Sequence, residues 1–183
     1  MVKLRTLINK SWTLAKLYYR WHGIILTGQP KDEIWYFAFG TNMNDSVFHE
    51  RRKMCPIEWQ VGCVKGYRLR FNLEGRPIGR AAPANISLDA QAEIWGVLYK
   101  ITRADLLHLD WTEGVPGPRY WHLWVDARDI DDNALRAVTY VAEGKERDGN
   151  PSLRYITLIR DGARAHGLPE HYLRFLDSVE HAK

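Results

Sequence analysis

Residues 93 to 114, "EIWGVLYKITRADLLHLDWTEG", change their hydrophobic period part-way along. The opening "EIWGVLYKI" alternates like a strand and places Trp95, Val97 and Tyr99 on one side. Thr102 and Asp105 follow three apart as a capping box. Leu106, Leu107 and Leu109 then give a short helix that Gly114 would end. A strand therefore passes straight into a short helix, with a glutamate, Glu113, at the helix's negative end.

Upstream lies "WYFAFGTNMN", 35 to 44, in which an apolar strand candidate over 34 to 39 runs abruptly into Gly40, Thr41 and Asn42. In "NDSVFHERRK" Asn44 or Asp45 is placed to cap a short helix, and Arg51, Arg52 and Lys53 read as its solvated face. "WQVGCVKGYRLRFN", 59 to 72, reads as extended, with Tyr67, Leu69 and Phe71 on one face against Arg68 and Arg70. Residues 75 to 85, rich in Gly, Pro and Ala, read as a long connection near a functional surface.

Downstream, "RYWHLWVDA" at 119 to 127 and "ALRAVTYVA" at 134 to 142 alternate like two more strands. "PSLRYITLIRDGARAHG" has a Pro-Ser helix start and Gly167 as a stop, and a further helix opens at Pro169 and Glu170. The order is helix, strands, short helix, strands, two helices. That order predicts an α+β domain and not an alternating doubly wound one.

At 183 residues the chain is long enough for one well-packed domain, here 31 to 183, preceded by an extension over 1 to 30. The extension holds Lys3, Arg5, Lys10, Lys16 and Arg20 and no acid, and over 3 to 21 it reads as a basic amphipathic helix. Such a helix packs on the domain or on a partner, or lies on an anionic membrane surface. The rest of the chain carries 21 basic and 22 acidic side chains, so the net charge of +4 belongs to the extension. The domain has no electrostatic footprint for nucleic acid.

No apolar run reaches the ~18 to 20 residues of a membrane span, and no continuous signal-peptide core precedes the domain. Two cysteines, Cys55 and Cys63, are too few for a disulfide scaffold or a thiolate zinc site, and the histidines form no metal-binding pattern. A reduced, cytoplasmic protein without a metal or cofactor is the expectation.

Two features carry chemistry. The turn at Gly40, Thr41 and Asn42 can offer successive N–H groups to a carboxylate or oxyanion, although strands often end this way for turn reasons alone. Glu113 sits where the helix dipole disfavours an anion by ~0.3 to 1 kcal/mol, although a solvated glutamate beside a turn has the same spacing.

"YFAFGTNM" at 36 to 43 resembles the Y-F-A-Y-G-S-N-M signature of the γ-glutamylcyclotransferase family. "EIWGVLYKITRADLLHLDWTEGVPGPRY" at 93 to 120 is similar to that family's strand, helix and E-G-V segment before a tyrosine. "PSLRYITLIRDGARAHGLP" at 151 to 169 resembles its P-S-x-x-Y helix. The resemblance covers 35 to 170 and implies a small mixed β-barrel flanked by helices. It also implies a small-molecule γ-glutamyl substrate, closed to 5-oxoproline with release of an amine or amino acid.

By the same resemblance Glu113 matches the catalytic glutamate. Phe39, Gly40, Thr41, Asn42 and Met43 match the substrate loop, and Tyr120, Ser152 and Tyr155 match further substrate-binding positions. Phe39 and Thr41 stand where the family usually has tyrosine and serine. The alternative on the same fold is a non-catalytic ligand-binding or interaction module.

Overall fold

The computed structural model describes residues 28–75, 81–113, 115 and 120–182. The amphipathic helix expected over 3–21 and the stop residue Gly114 lie outside the described residues. Five strands, β1 (Glu33–Ala38), β2 (Glu58–Arg70), β3 (Asn85–Thr102), β4 (Trp121–Asp129) and β5 (Ala134–Val141), form a closed barrel in the order β1-β3-β2-β4-β5. Three α-helices accompany them among the described residues: α1 (Arg103–Glu113), α2 (Leu153–Ala165) and α3 (Glu170–Ser178). The architecture is a mixed β-barrel flanked by helices.

Closure rests on β1. It pairs antiparallel with β3, Tyr36 opposite Tyr99, and parallel with β5, Trp35 opposite Ala137. The β3 side is paired along all six residues of β1, and the β5 side through Trp35 and Tyr36, with the Thr139 hydroxyl donating to the Phe37 carbonyl beyond them.

β3 departs from the expected one-sided strand in two ways. Ile94 and Leu98 are as fully buried as Val97 and Tyr99, because one face fills the closed barrel while Phe48 stacks on Tyr99 from the other, ring centroids 4.1 Å apart. It also begins at Asn85, inside the stretch read as a connection. Its first residues pair with β2 beyond a bulge at Gly66, φ +81°, in a ribbon where Leu88 is exposed. Ile86, Leu88, Ala90 and Ala92 alternate with Ser87, Asp89, Gln91 and Glu93, a strand period that the reading of 75 to 85 as a connection passed over.

The helix boundaries follow local chemistry. Thr102 N–H donates to Asp105 Oδ2 and Asp105 N–H to Thr102 Oγ1, both 3.1 Å, so the capping box opens α1. Ser152 Oγ accepts from Tyr155 N–H to open α2, and Gly167, φ +68°, stops it as Leu168 N–H returns to Ala163 O. The segment after β1 makes a 3-10 turn at Thr41–Met43 and a short π-helical stretch at Ser46–Arg51. Asn44 Oδ1 accepts from Ser46 N–H and performs the capping expected of Asn44 or Asp45.

Burial holds the phenols of Tyr36, Tyr99, Tyr140, Tyr155 and Tyr172 above the ordinary tyrosine range. These groups keep their protons in the fold at pH values where the unfolded chain sheds them. Their stabilising contribution is therefore whole below pH ~10 and lost as pH rises further. An alkaline titration read by phenolate absorbance and far-ultraviolet circular dichroism should show these tyrosines ionising only as the fold is lost. Complete phenolate formation at pH ~10 in a still-folded chain would contradict this.

Candidate active site

A cavity of about 290 Å³ opens where β1 ends, between the 3-10 turn, the end of α1, β5 and the start of α2. Of the residues singled out from sequence, Phe39, Gly40, Thr41, Asn42, Glu113, Tyr120 and Tyr155 line it. Met43 and Ser152 do not. Met43 is fully buried in the core beneath the turn, and Ser152 spends its hydroxyl as the N-cap of α2, so neither belongs to the cavity wall.

The turn is positioned by backbone packing. Met43 and Asn44 give their N–H groups to the carbonyls of Gly40 and Thr41, as a 3-10 turn requires. Its first donors, the N–H groups of Thr41 and Asn42, have no partner within the turn. From beneath, Asn44 Nδ2 donates to Leu158 O of α2, and Gly162 of α2 lies directly against the Met43–Asn44 peptide.

Glu113 is held at the last residue of α1. Its Oε1 accepts from Asn42 Nδ2 at 3.0 Å and faces Arg52 Nη2 at 3.0 Å. Arg52 Nη1 also donates to Thr112 O, so a guanidinium stands at the negative end of α1 beside the carboxylate. Both contacts stabilise the anion through Oε1, and Oε2 faces no recorded partner among the described residues. The side chain is 16% exposed, enough to be reached and too little to be freely solvated.

Arg52 corrects the solvated-face reading of the Arg51, Arg52, Lys53 triplet. Arg51 is exposed, whereas Arg52 turns inward and lines the cavity. The available signal was helical spacing: Arg52 lies four residues after Phe48, whose ring is fully buried. His108 Nε2 lies 2.8 Å from Arg52 O and ties this segment to α1.

Tyr36 and Tyr140 are further wall residues that sequence reading passed over as strand core. Tyr36 OH accepts from Asn42 Nδ2 at 2.8 Å, and the Tyr36 and Tyr140 rings lie 5.6 Å apart. Tyr155 OH accepts from Ala84 N–H at 3.1 Å, which brings the end of the 75–85 connection to the cavity. Burial, the largest cause, keeps the Tyr36 and Tyr155 hydroxyls protonated, and the charge of Glu113 acts in the same direction on both.

Comparison with known proteins agrees with this architecture. The family model described as "AIG2-like family" matches residues 93–176. γ-Glutamylcyclotransferase of Bos taurus is 28% identical over 161 residues, 85% of this chain and 83% of that one. Gamma-glutamyl cyclotransferase gliK of Claviceps purpurea is 33% identical over 144 residues, 73% of this chain and 64% of that one. A solved γ-glutamyl cyclotransferase superposes with a TM-score of 0.74 at 24% identity, covering 83% of this chain and 90% of that one.

The chain is similar to γ-glutamylcyclotransferases in sequence and shares the fold of a solved one. YkqA of Bacillus subtilis has the same fold, with a TM-score of 0.69 at 25% identity over 83% of this chain and 57% of that one.

The two glycines that frame the turn do different things. At Gly162 a Cβ would stand 2.6 Å from the Met43 carbonyl carbon and 2.7 Å from Asn44 N, backbone that cannot swing away. At Gly40, φ −113°, any residue's backbone is accommodated, and a Cβ would meet only Ala84 Cβ at 3.7 Å and the Tyr155 hydroxyl at 3.8 Å, both on the cavity wall. Gly162→Ala should therefore lower the urea midpoint, at a cost of about 1–3 kcal/mol, by lifting the turn off α2. Gly40→Ala should unfold at the wild-type midpoint while narrowing the cavity. Equal midpoints for the two variants would refute the assignment.

Proposed function

We propose that the chain is a γ-glutamylcyclotransferase that converts a γ-glutamyl amino acid or γ-glutamyl amine to 5-oxoproline and the free amino acid or amine. The observation that carries the reading is Glu113, a carboxylate gripped on one oxygen by Arg52 and Asn42 in the wall of a small, partly open cavity. The curated relatives' names support the same reaction class.

The reaction needs a carboxylate of this kind. The substrate's α-ammonium must lose a proton before its nitrogen can attack the γ-carbonyl carbon. A C–N bond forms and the carbonyl oxygen takes up negative charge. When the old C–N bond breaks, the attacking nitrogen has become a lactam N–H and the leaving nitrogen an ammonium. Two protons have thus passed from one nitrogen to the other, with none gained or lost overall. Glu113 carries them as general base and then general acid, one at a time, and returns to its starting state.

The remaining roles follow from what each group offers. The N–H groups of Thr41 and Asn42 and the hydroxyl of Tyr155 are donors for the substrate's carboxylate or for the developing oxyanion. Tyr120 extends the wall beside Glu113. Phe39 contributes shape where the family's usual tyrosine would add a hydroxyl. Cys55 and Cys63 are both free, which accords with a cytoplasmic location.

Glu113→Gln keeps the side-chain shape and removes the proton carrier. It should fold as the wild type and lower release of 5-oxoproline from a responsive γ-glutamyl substrate by ~10² to 10⁴. The assay is a panel of γ-glutamyl amino acids, γ-glutamyl amines and glutathione, with the product quantified directly. Undiminished release by the folded variant would remove Glu113 from the mechanism, and no release from any panel member by the wild type would favour a binding module.

A further inference from the structure

Of the four tyrosines that line the cavity, Tyr36, Tyr140 and Tyr155 are sorted by their hydrogen bonds into two kinds. Tyr36 OH accepts from Asn42 Nδ2 and Tyr155 OH accepts from Ala84 N–H. Each therefore retains its own hydrogen to give to a ligand. Tyr140 is the reverse. Its hydroxyl donates to Asp110 Oδ1 at 2.5 Å, so the hydrogen is spent and the oxygen lone pairs remain.

The group that commits Tyr140 is held in place by the fold. Asp110 lies one helical turn before Glu113 on the same face of α1 and is completely buried. Its Oδ1 also accepts from His122 Nε2 at 2.7 Å. His122 and Tyr140 are cross-strand partners in the β4–β5 register, with rings 5.5 Å apart, so one carboxylate oxygen spans both. A buried carboxylate is costly unless hydrogen-bonded, and apolar packing alone gives no reason to keep one here. Burial, then the Asp110 charge, holds the Tyr140 phenol well above its ordinary range, and the charge of Glu113 reaches the same hydroxyl.

The cavity thus has an acceptor side, Glu113 Oε2 with the Tyr140 oxygen, and a donor side formed by the Tyr36 and Tyr155 hydroxyls. We propose that the Tyr140 oxygen accepts a hydrogen bond from the α-ammonium of the substrate, and that Asp110 and His122 are positioning residues that fix the direction of this hydroxyl. The site then selects γ-glutamyl compounds over glutaryl compounds of the same shape lacking the ammonium. This selection rests on the γ-glutamyl reading of the cavity.

The test is direct binding by calorimetry, with two probes that cannot cyclise. L-Methionine sulfone carries the α-carboxylate, the α-ammonium and a neutral tetrahedral sulfonyl in place of the γ-carbonyl carbon. Its des-amino analogue, γ-methylsulfonylbutyrate, lacks only the ammonium. The full-length wild type should prefer the sulfone. Tyr140→Phe and Asp110→Asn should each reduce that preference by about tenfold to a hundredfold, the worth of a hydrogen bond to a charged group. Affinity for the des-amino probe should stay nearly unchanged.

His122→Gln, which keeps an N–H donor for Asp110, should retain more of the preference than His122→Leu. Should Asp110→Asn fail to fold, Tyr140→Phe carries the test alone. Equal loss of both probes, or an unchanged preference in folded variants, would overturn the role of Tyr140. Neither probe binding to the wild type would remove the γ-glutamyl reading itself, and this inference with it.

Discussion

The structure depends on β1 being paired along both of its edges. β3 lies antiparallel on one side and β5 parallel on the other, so the first strand of the barrel is locked by the last. Closing this ring requires contacts between residues about as far apart in sequence as Phe37 and Thr139, whose hydroxyl donates to the Phe37 carbonyl. Once closed, the ring determines where the chain leaves β1. The turn at Gly40–Asn44 emerges at one point, and α2 meets it there through a residue with no side chain, Gly162. The cavity is the space that remains between this fixed turn and the end of α1.

Two carboxylates on one face of α1 are given different surroundings. Asp110 is sealed inside and spends one oxygen on Tyr140 and His122. Glu113, a turn later, stands at the cavity with Arg52 and Asn42. A single short helix thereby supplies one acid that organises its neighbours and one that faces the ligand space. Arg52 makes this arrangement tenable by placing positive charge at the helix terminus, where the exposed carbonyls and Glu113 would otherwise repel each other.

Elements with strong local chemistry were legible in the sequence. The capping box at Thr102 and Asp105, the Ser152 start, the Gly167 stop and the strands β4 and β5 each depend on a few neighbouring residues and occur where they were read, although β5 buries four residues in a row where alternation was expected. What escaped depends on closure or on long-range partners. The ribbon at the start of β3 is stabilised by pairing with β2, and its apolar–polar alternation over 86 to 93 is weak because two of its four apolar residues are alanines. Arg52 was hidden in a basic triplet because its partner is distant in sequence, and Tyr36 and Tyr140 were hidden because a strand residue facing a cavity looks like one facing a core. Met43 and Ser152 show the converse: both stand inside motifs shared with a family, yet one supports the turn from below and the other begins a helix.

An ion-paired carboxylate is ordinarily a poor proton carrier, and the geometry around Glu113 bears on that objection. Arg52 does not grip it in a two-oxygen fork: one guanidinium nitrogen faces Oε1, and another is spent on the Thr112 carbonyl. Asn42 adds its bond to the same oxygen. The pair therefore orients the carboxylate and steadies its charge while leaving one oxygen uncommitted. In the proposed reaction the attacking and leaving nitrogens are bonded in turn to one carbon, and an oxygen held over that carbon can serve both without the side chain changing rotamer. A freely solvated glutamate would have no such fixed direction, and a fully forked one would have no oxygen to spare. The one-sided grip of Arg52 and Asn42 lies between these extremes.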